Sequence, residues 1–475
     1  MIPRTLLLSA LLAAMAQAGD GKAAPAAANK YDPAPKYKAA ASASPRLLER
    51  ESWWTVFGDS GLNRLIADID VANLDAAAAL ARVEQARAAT GVARSEFFPT
   101  IKINYSEIRT RNSATQRVIG FPGALPSGTI TTNTLPVDFG YEVDVWGRVR
   151  KNVQAAREDA DASLATYDTL ILSLRAEVAS TWFSLRTLDS QRGILRATIG
   201  LRTEALDVAK QRLNAGIGTD FDLARAEAEL ASAQADLAQL AQRRPALENG
   251  LAVLVGRNPS QFRVAEDLSW SSGAKIPVVP AGIPAQLVSR RPDVAAAEHQ
   301  LAASSARIGV ARAEFLPTVR LTGQVGLQSG FGDEFFRSDS RTWSFGPTVS
   351  IPIFEGGRLN ANLKAAKGVQ QEATAHYQQT VLTATADVET ALGALRALVN
   401  RNEAQLRAEA ATTRGAKIAR DRYKAGTSTY LEVIDAERGA LSAQLTTAAL
   451  TGERLATTVQ LIKALGGGWE GKSGK

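Results

Sequence analysis

Two motifs occur twice in this chain, in the same order and about 210 to 220 residues apart, and few folds can accommodate such a duplication. Gly91-Val92-Ala93-Arg94-Ser95-Glu96-Phe97-Phe98-Pro99-Thr100 returns as Gly309-Val310-Ala311-Arg312-Ala313-Glu314-Phe315-Leu316-Pro317-Thr318. Arg212-Leu213-Asn214-Ala215-Gly216-Ile217-Gly218-Thr219 returns as Arg422-Tyr423-Lys424-Ala425-Gly426-Thr427-Ser428-Thr429. A unit this long is not a solenoid repeat, so one domain has been duplicated. The first copy occupies residues 51–255 and the second 284–468, with a linker at 256–283. Each copy reads helix, strand, strand, very long helix, tight turn, helix.

The strands carry the next constraint. Asp75 to Phe97 has helical spacing through Leu80, Val83 and Ala86 and stops before Pro99. Alternation then changes to period two. Ile101, Ile103 and Tyr105 lie on one face, and after a loop Leu135, Val137, Phe139, Tyr141, Val143 and Val145 do the same. The second copy repeats the pattern with Val319, Leu321, Val325 and Leu327, then Trp343, Phe345, Val349, Ile351 and Ile353. These hairpins, over about residues 99–146 and 317–354, have strands of about 10 residues, the length and dyad pattern of transmembrane β-strands. The other reading, a soluble sandwich, fits poorly because only four candidate strands exist and isolated hairpins are not stable. Four strands also cannot close a barrel, which needs about eight. Three copies pool twelve strands. Two copies pool eight, which closes too narrowly for a polar channel, so the strand count favours a trimer.

Each hairpin leads into a run without proline, Gly147 to Ala215 and Arg358 to Ala425. As helices, about 65 residues reach about 98 Å. Gly216 and Gly218 end the first and Gly426 ends the second, glycine being suited to a helix C-terminal cap. Thr219 and Thr429 then cap helices running toward Val255 and Leu465. The entry and return helices of a copy together match its long helix and can stack end to end beside it. A soluble coiled-coil rod would account for the helices but not for the hairpins.

At the N-terminus, Arg4, an apolar Leu6 to Ala14 and Ala16-Gln17-Ala18 predict a secretory signal peptide over residues 1–18, cleaved between Ala18 and Gly19. Residues 19–50, rich in Ala, Pro, Lys and Ser, predict an extended arm, and residues 469–475 a tail. The chain has no cysteine, so thiolate chemistry, cysteine metal sites and a lipidated N-terminal cysteine are not expected. Its net charge of +7 comes from basic residues interleaved with acids, with no block suited to nucleic acid. His299 and His376 are the only histidines and fall in helical stretches of different character. Neither a zinc site nor a histidine-based triad is expected, and no cofactor or enzymatic activity. Gly356-Gly357 between strand and helix lacks the Gly-Lys-Ser/Thr of a phosphate loop and is read as a sharp exit from the strand.

The chain resembles the TolC-like outer membrane factors of Gram-negative bacteria, in particular the OprM/NodT-type subgroup that serves efflux pumps. The motifs are Trp53-Trp54-Thr55-Val56-Phe57-Gly58-Asp59, Ser95-Glu96-Phe97-Phe98-Pro99-Thr100, Ile283-Pro284 through Arg290-Arg291-Pro292-Asp293-Val294-Ala295-Ala296-Ala297-Glu298, Phe354-Glu355-Gly356-Gly357-Arg358, and Tyr423 through Arg438. The resemblance implies an α+β membrane protein. Its homotrimer forms a twelve-stranded barrel in outer-membrane lipid, four strands per chain, continued by a twelve-helix periplasmic α-barrel. A mixed equatorial region including the linker girdles the tunnel. Implied partners are a periplasmic adaptor and an inner-membrane transporter, of the RND type for efflux. Many members of the subgroup have a lipidated cysteine where this chain has Gly19, so barrel insertion alone is expected to hold it.

By position in the same motifs, Leu431, Glu432, Asp435 and Arg438 match a closed periplasmic constriction, and Tyr423 with Asp222 matches a hydrogen-bond network that keeps it shut. Leu431, Asp435 and Arg438 share one helical face, which a trimer would repeat around the pore. Three converging carboxylates form the kind of ring that sets ion selectivity. Ser428 stands where some members have an arginine, so a salt-bridged latch lacks its cation there. Acids in a first helical turn also suit the helix dipole without any gating role. The implied function is a passive exit duct for drugs, toxic compounds or metals; the alternatives are a conduit for type I protein secretion and a soluble periplasmic adaptor or scaffold.

Overall fold

The computed structural model describes residues 52–111, 129–279, 290–330 and 334–467. The signal peptide with Ala18 and Gly19, the arm, the tail and the end of the linker lie outside the described residues.

The two copies are built from helices of matching length. The first has α2 (Leu74–Ser95, 22 residues), α3 (Arg148–Asn214, 67 residues) and α4 (Asp220–Leu254, 35 residues). The second has α5 (Pro292–Ala313, 22 residues), α6 (Arg358–Lys424, 67 residues) and α7 (Tyr430–Ala464, 35 residues). At about 1.5 Å per residue, α3 and α6 are each about 100 Å long. The expected end-to-end stacking is present and held by hydrogen bonds. Asn73 caps α2 by accepting from the Ala76 amide at 2.8 Å, while its Nδ2 donates to the Leu254 carbonyl at the end of α4 at 2.7 Å. In the second copy Arg291, preceding α5, donates to the Ala464 carbonyl at the end of α7 at 3.1 Å.

Four strand positions form one antiparallel sheet. The first is interrupted at Asn104-Tyr105 and so divides into β1 (Thr100–Ile103) and β2 (Ser106–Arg111). Then come β3 (Thr129–Val143), β4 (Thr318–Ser329) and β5 (Arg341–Ser350). The order is β1/β2, β3, β4, β5, so the two hairpins join through β3 and β4. The register aligns the faces expected from alternation. Ile103, Val137, Val325 and Trp343 form one apolar row across the sheet, and Ile101, Phe139, Gly323 and Phe345 the next. On the other face Lys102, Asp138, Gln324 and Ser344 are aligned. There Asp138 accepts from Asn104 and from Gln324, both at 2.9 Å. Ile351 and Ile353 lie beyond the end of β5.

Each exit from the sheet turns on glycine. Gly147 and Gly357 have φ of 82° and 88° as the residues preceding α3 and α6, a conformation that costs glycine little. In the first copy the 3₁₀ turn Trp53–Phe57 and helix α1 (Ser60–Ala72) pack on α3. Asp59 caps α1 through the Gly61 and Leu62 amides and accepts from Trp182 Nε1 at 2.8 Å. Trp53, Phe57, Leu62, Ile66, Phe183 and Leu185 form the core of this collar with the ends of α4 and α7.

Candidate functional site at the helical tip

Both copies turn from the long helix into the return helix through the same hydrogen-bonded cap. Gly216 and Gly426 have φ of 73° and 78°. The Ile217 amide donates to the Arg212 carbonyl at 3.0 Å and the Gly216 amide to Leu213 at 3.0 Å; Thr427 and Gly426 repeat the pair with Arg422 and Tyr423. This is the Schellman arrangement, in which a left-handed residue lets orphan carbonyls find donors. Gly218 has a different reason to be glycine. Its φ is not positive; a Cβ there would lie 2.7 Å from the Leu213 amide nitrogen. The equivalent Ser428 keeps a side chain, whose hydroxyl donates to the Ala419 carbonyl at 3.5 Å. Thr219 caps α4 by accepting from the Asp222 amide at 3.1 Å. At α7, the Glu432 carboxylate accepts from the Thr429 amide at 3.5 Å.

Behind the turns, Tyr423 and Tyr430 are buried with Leu206, Ala209, Ala226, Val433 and Ile434. The two rings are 5.3 Å apart. The Arg212 guanidinium, from the first copy, lies 4.8 Å above the Tyr423 ring and donates to the Tyr423 carbonyl at 3.0 Å. Burial raises the Tyr423 hydroxyl above its ordinary pKa; Arg212 opposes this and Asp222 adds to it. Asp222 thus acts on Tyr423 through its charge, while the hydrogen bond described at this corner comes from Arg212. Burial pushes the Tyr430 hydroxyl up to about 12, helped by the nearby Glu437.

One turn deeper is a charge network the sequence reading missed. Glu229 on α4 is buried between Arg202 of α3, at 2.9 Å, and Arg438 of α7. Arg202 also donates to the main-chain carbonyl of Glu229. Glu437 lies 3.6 Å from Arg420, too far for a hydrogen bond, and its Oε1 has no hydrogen-bond partner. Burial accordingly raises the Glu437 pKa, against the pull of Arg420 and Arg202. A carboxyl whose folded-state pKa is raised destabilises the fold when ionised and ceases to do so once protonated. Glu437→Gln is therefore expected to raise the melting temperature at neutral pH. The gain should shrink as pH falls through the raised pKa and vanish below the ordinary glutamate range, as thermal unfolding across pH would show.

Leu431 (47% exposed), Asp435 and Arg438 lie on one exposed face of α7, and Glu432 is also exposed. Arg438 reaches sideways from that face to Glu229, tying the face to the buried network. The first copy places Phe221 and Arg225 at the positions of Leu431 and Asp435, with the Arg225 guanidinium 4.3 Å above the Phe221 ring. Arg202, Arg212, Glu229, Tyr430 and Glu437 were not singled out from sequence. Their signal was a charge, or at Tyr430 an aromatic ring, at inward helical positions, visible once α3, α4 and α7 are known to be neighbours. No metal site was expected from the two histidines; the fold sets His299 Nδ1 2.8 Å from Glu158 Oε2, with Asp161 nearby. That expectation weighed the two histidines against each other and left out carboxylates brought in by the fold.

The sequence model of the outer membrane efflux protein family matches residues 65–257 and 283–467, one segment in each copy. The chain belongs to that family. It is 32% identical over 432 residues to the pyoverdine export outer membrane protein OpmQ of Pseudomonas putida, covering 90% of each chain. It is 33% identical over 422 residues to the toluene efflux pump outer membrane protein TtgI of Pseudomonas putida, covering 87% of this chain and 86% of the relative. The solved structure of the outer-membrane channel OprN superposes with a TM-score of 0.83 at 31% identity, covering 92% of this chain and 97% of that one. The fold is therefore TolC-like, α+β, and the chain is an efflux channel of the Gram-negative outer membrane with a periplasmic extension. The family is one of transport ducts.

Proposed function

We propose that three copies of this chain close into a passive exit duct: a twelve-stranded barrel in outer-membrane lipid above a twelve-helix periplasmic tunnel, gated at the helical tip. The carrying observation is the four-position sheet. Its apolar face runs unbroken across all four positions, and its two outer strands, β1/β2 and β5, each pair on one side only among the described residues. Lipid would cover the apolar face, and neighbouring copies would satisfy the edges, since no open edge is stable in a bilayer. Each chain supplies four helical columns: α3, α6, α2 stacked on α4, and α5 stacked on α7.

At the tip, Leu431 and Asp435 would converge from three chains. The buried Tyr423, Tyr430 and Glu229 and the half-buried Arg212 hold that face in place, with Asp222, Ser428 and Glu432 at the turn. Three carboxylates on one narrow ring repel one another and attract cations. A periplasmic adaptor docking at Gly216 to Thr219 and Gly426 to Thr429 would move the return helices, with energy supplied by an inner-membrane transporter of the RND type. The cargo class is small molecules. Two relatives of almost equal similarity are named for pyoverdine export and toluene efflux, so cargo choice rests with the transporter rather than the duct.

Detergent-extracted protein is expected to be trimeric and to conduct poorly in planar bilayers. Asp435→Ala should raise conductance and reduce cation selectivity several-fold. Unchanged conductance and selectivity would remove Asp435 from the gate.

A further inference from the structure

Away from the tip, one cluster of side chains is not explained by transport. Glu158 and Asp161 lie on α3 and His299 on α5, the helix pair where the first copy packs on the second. His299 Nδ1 is 2.8 Å from Glu158 Oε2, and one donor atom from each of the three residues lies within 4.8 Å of the others. Glu158 and His299 are half-buried, while Asp161 is exposed and has no hydrogen-bond or ion-pair partner among the described residues. The helices approach over small residues, with Ala155, Ala162 and Ala165 buried on α3 and Ala296 and Ala303 on α5. The three donors are thus carried by rigid backbone. The neighbouring Asp159 is not available to the group, since Arg307 engages it.

We propose that Glu158, Asp161 and His299 form a binding site for a divalent transition metal, with zinc the best fit. One imidazole nitrogen and two carboxylate oxygens are the donor types zinc accepts. Tetrahedral zinc with bonds of about 2.0–2.2 Å sets its donors about 3.3–3.6 Å apart, so adjustments of about 1 Å fit these three side chains around an ion. A fourth position is left to water, as in sites with three protein ligands.

The duplication shows that the helices themselves form without the triad. The positions equivalent to Glu158, Asp161 and His299 in the other copy are Gly368, Gln371 and Ala81, so the same helices form there without any of these donors. A simple His299–Glu158 hydrogen bond would not require the otherwise unpartnered Asp161. A bound ion would fasten α3 to α5 about 15 Å along α3 from its strand-proximal end, joining the two copies. That part of the helical region would stay fixed while the tip moves.

The test is zinc binding by the full chain, purified in detergent without a histidine tag and titrated in competition with a chromogenic chelator. The expected result is one zinc per chain, with affinity reduced about tenfold or more by His299→Ala and by Asp161→Asn. His376→Ala removes the remaining histidine and should bind as wild type. Circular dichroism and trimer content, matched to wild type, exclude misfolding as the cause of a loss. The proposal is overturned if the wild type takes up no zinc, if His299→Ala binds as tightly as wild type, or if Asp161→Asn leaves the affinity unchanged.

Discussion

Glu229→Ala is expected to loosen the tip more than any other single substitution there. Glu229 lies between the guanidinium groups of Arg202 and Arg438, and the Arg202 side chain is only 4% exposed. Removing the anion leaves a buried cation without its counter-charge, a loss of about 3–5 kcal/mol when one partner of a buried pair is deleted. It also frees Arg438 from the inner network, so the Asp435 face loses its tie to α4. The expected readouts are higher single-channel conductance and entry of large antibiotics that wild-type cells exclude. Arg438→Ala is the internal comparison. Its side chain is 63% exposed, so it should cost no more than about 1 kcal/mol and open the tip less. Equal effects of the two substitutions would show that the buried Arg202–Glu229 contact does not hold the tip.

The architecture was legible in the sequence because it rests on repetition and periodicity. The paired Gly216 and Gly426 motifs located both turns, and the switch to period two at Ile101 and Val319 located both hairpins within a few residues. The split of the first strand at Asn104-Tyr105 was not legible, since alternation continues through it without a break in register. The tip was half legible. Leu431, Glu432 and Asp435 are local to a motif and could be read from it. Glu229 and Arg438 meet across 209 residues, and Arg212 and Tyr423 across 211. Such pairs follow only from the lateral order of the helices, which hydrophobic spacing in alanine-rich segments does not encode. His299 and Glu158, 141 residues apart, escaped for the same reason.

Phe139→Arg is expected to abolish outer-membrane assembly of the chain. Phe139 is the middle of the five apolar positions Leu135, Val137, Phe139, Tyr141 and Val143 on one face of β3, an interior strand paired on both sides. Its row continues through Gly323, where a Cβ would lie 2.9 Å from the Phe345 ring, so that ring covers the glycine. If this face meets lipid, arginine at its midpoint costs about 2–4 kcal/mol in each chain, and a closed trimer carries three such charges at one depth. No neighbouring acid on the same face is available to pair with it, because Asp138 and Glu142 belong to the opposite face. Thr322→Arg is the matched control: it sits beside Gly140 and Gly346, on the face with Lys102 and Gln324, where water would meet it. The measurement is the amount of detergent-extractable trimer in outer-membrane fractions. Loss with Phe139→Arg and retention with Thr322→Arg places lipid against the apolar face. The opposite outcome would turn the sheet inside out and put the aromatic row in the channel.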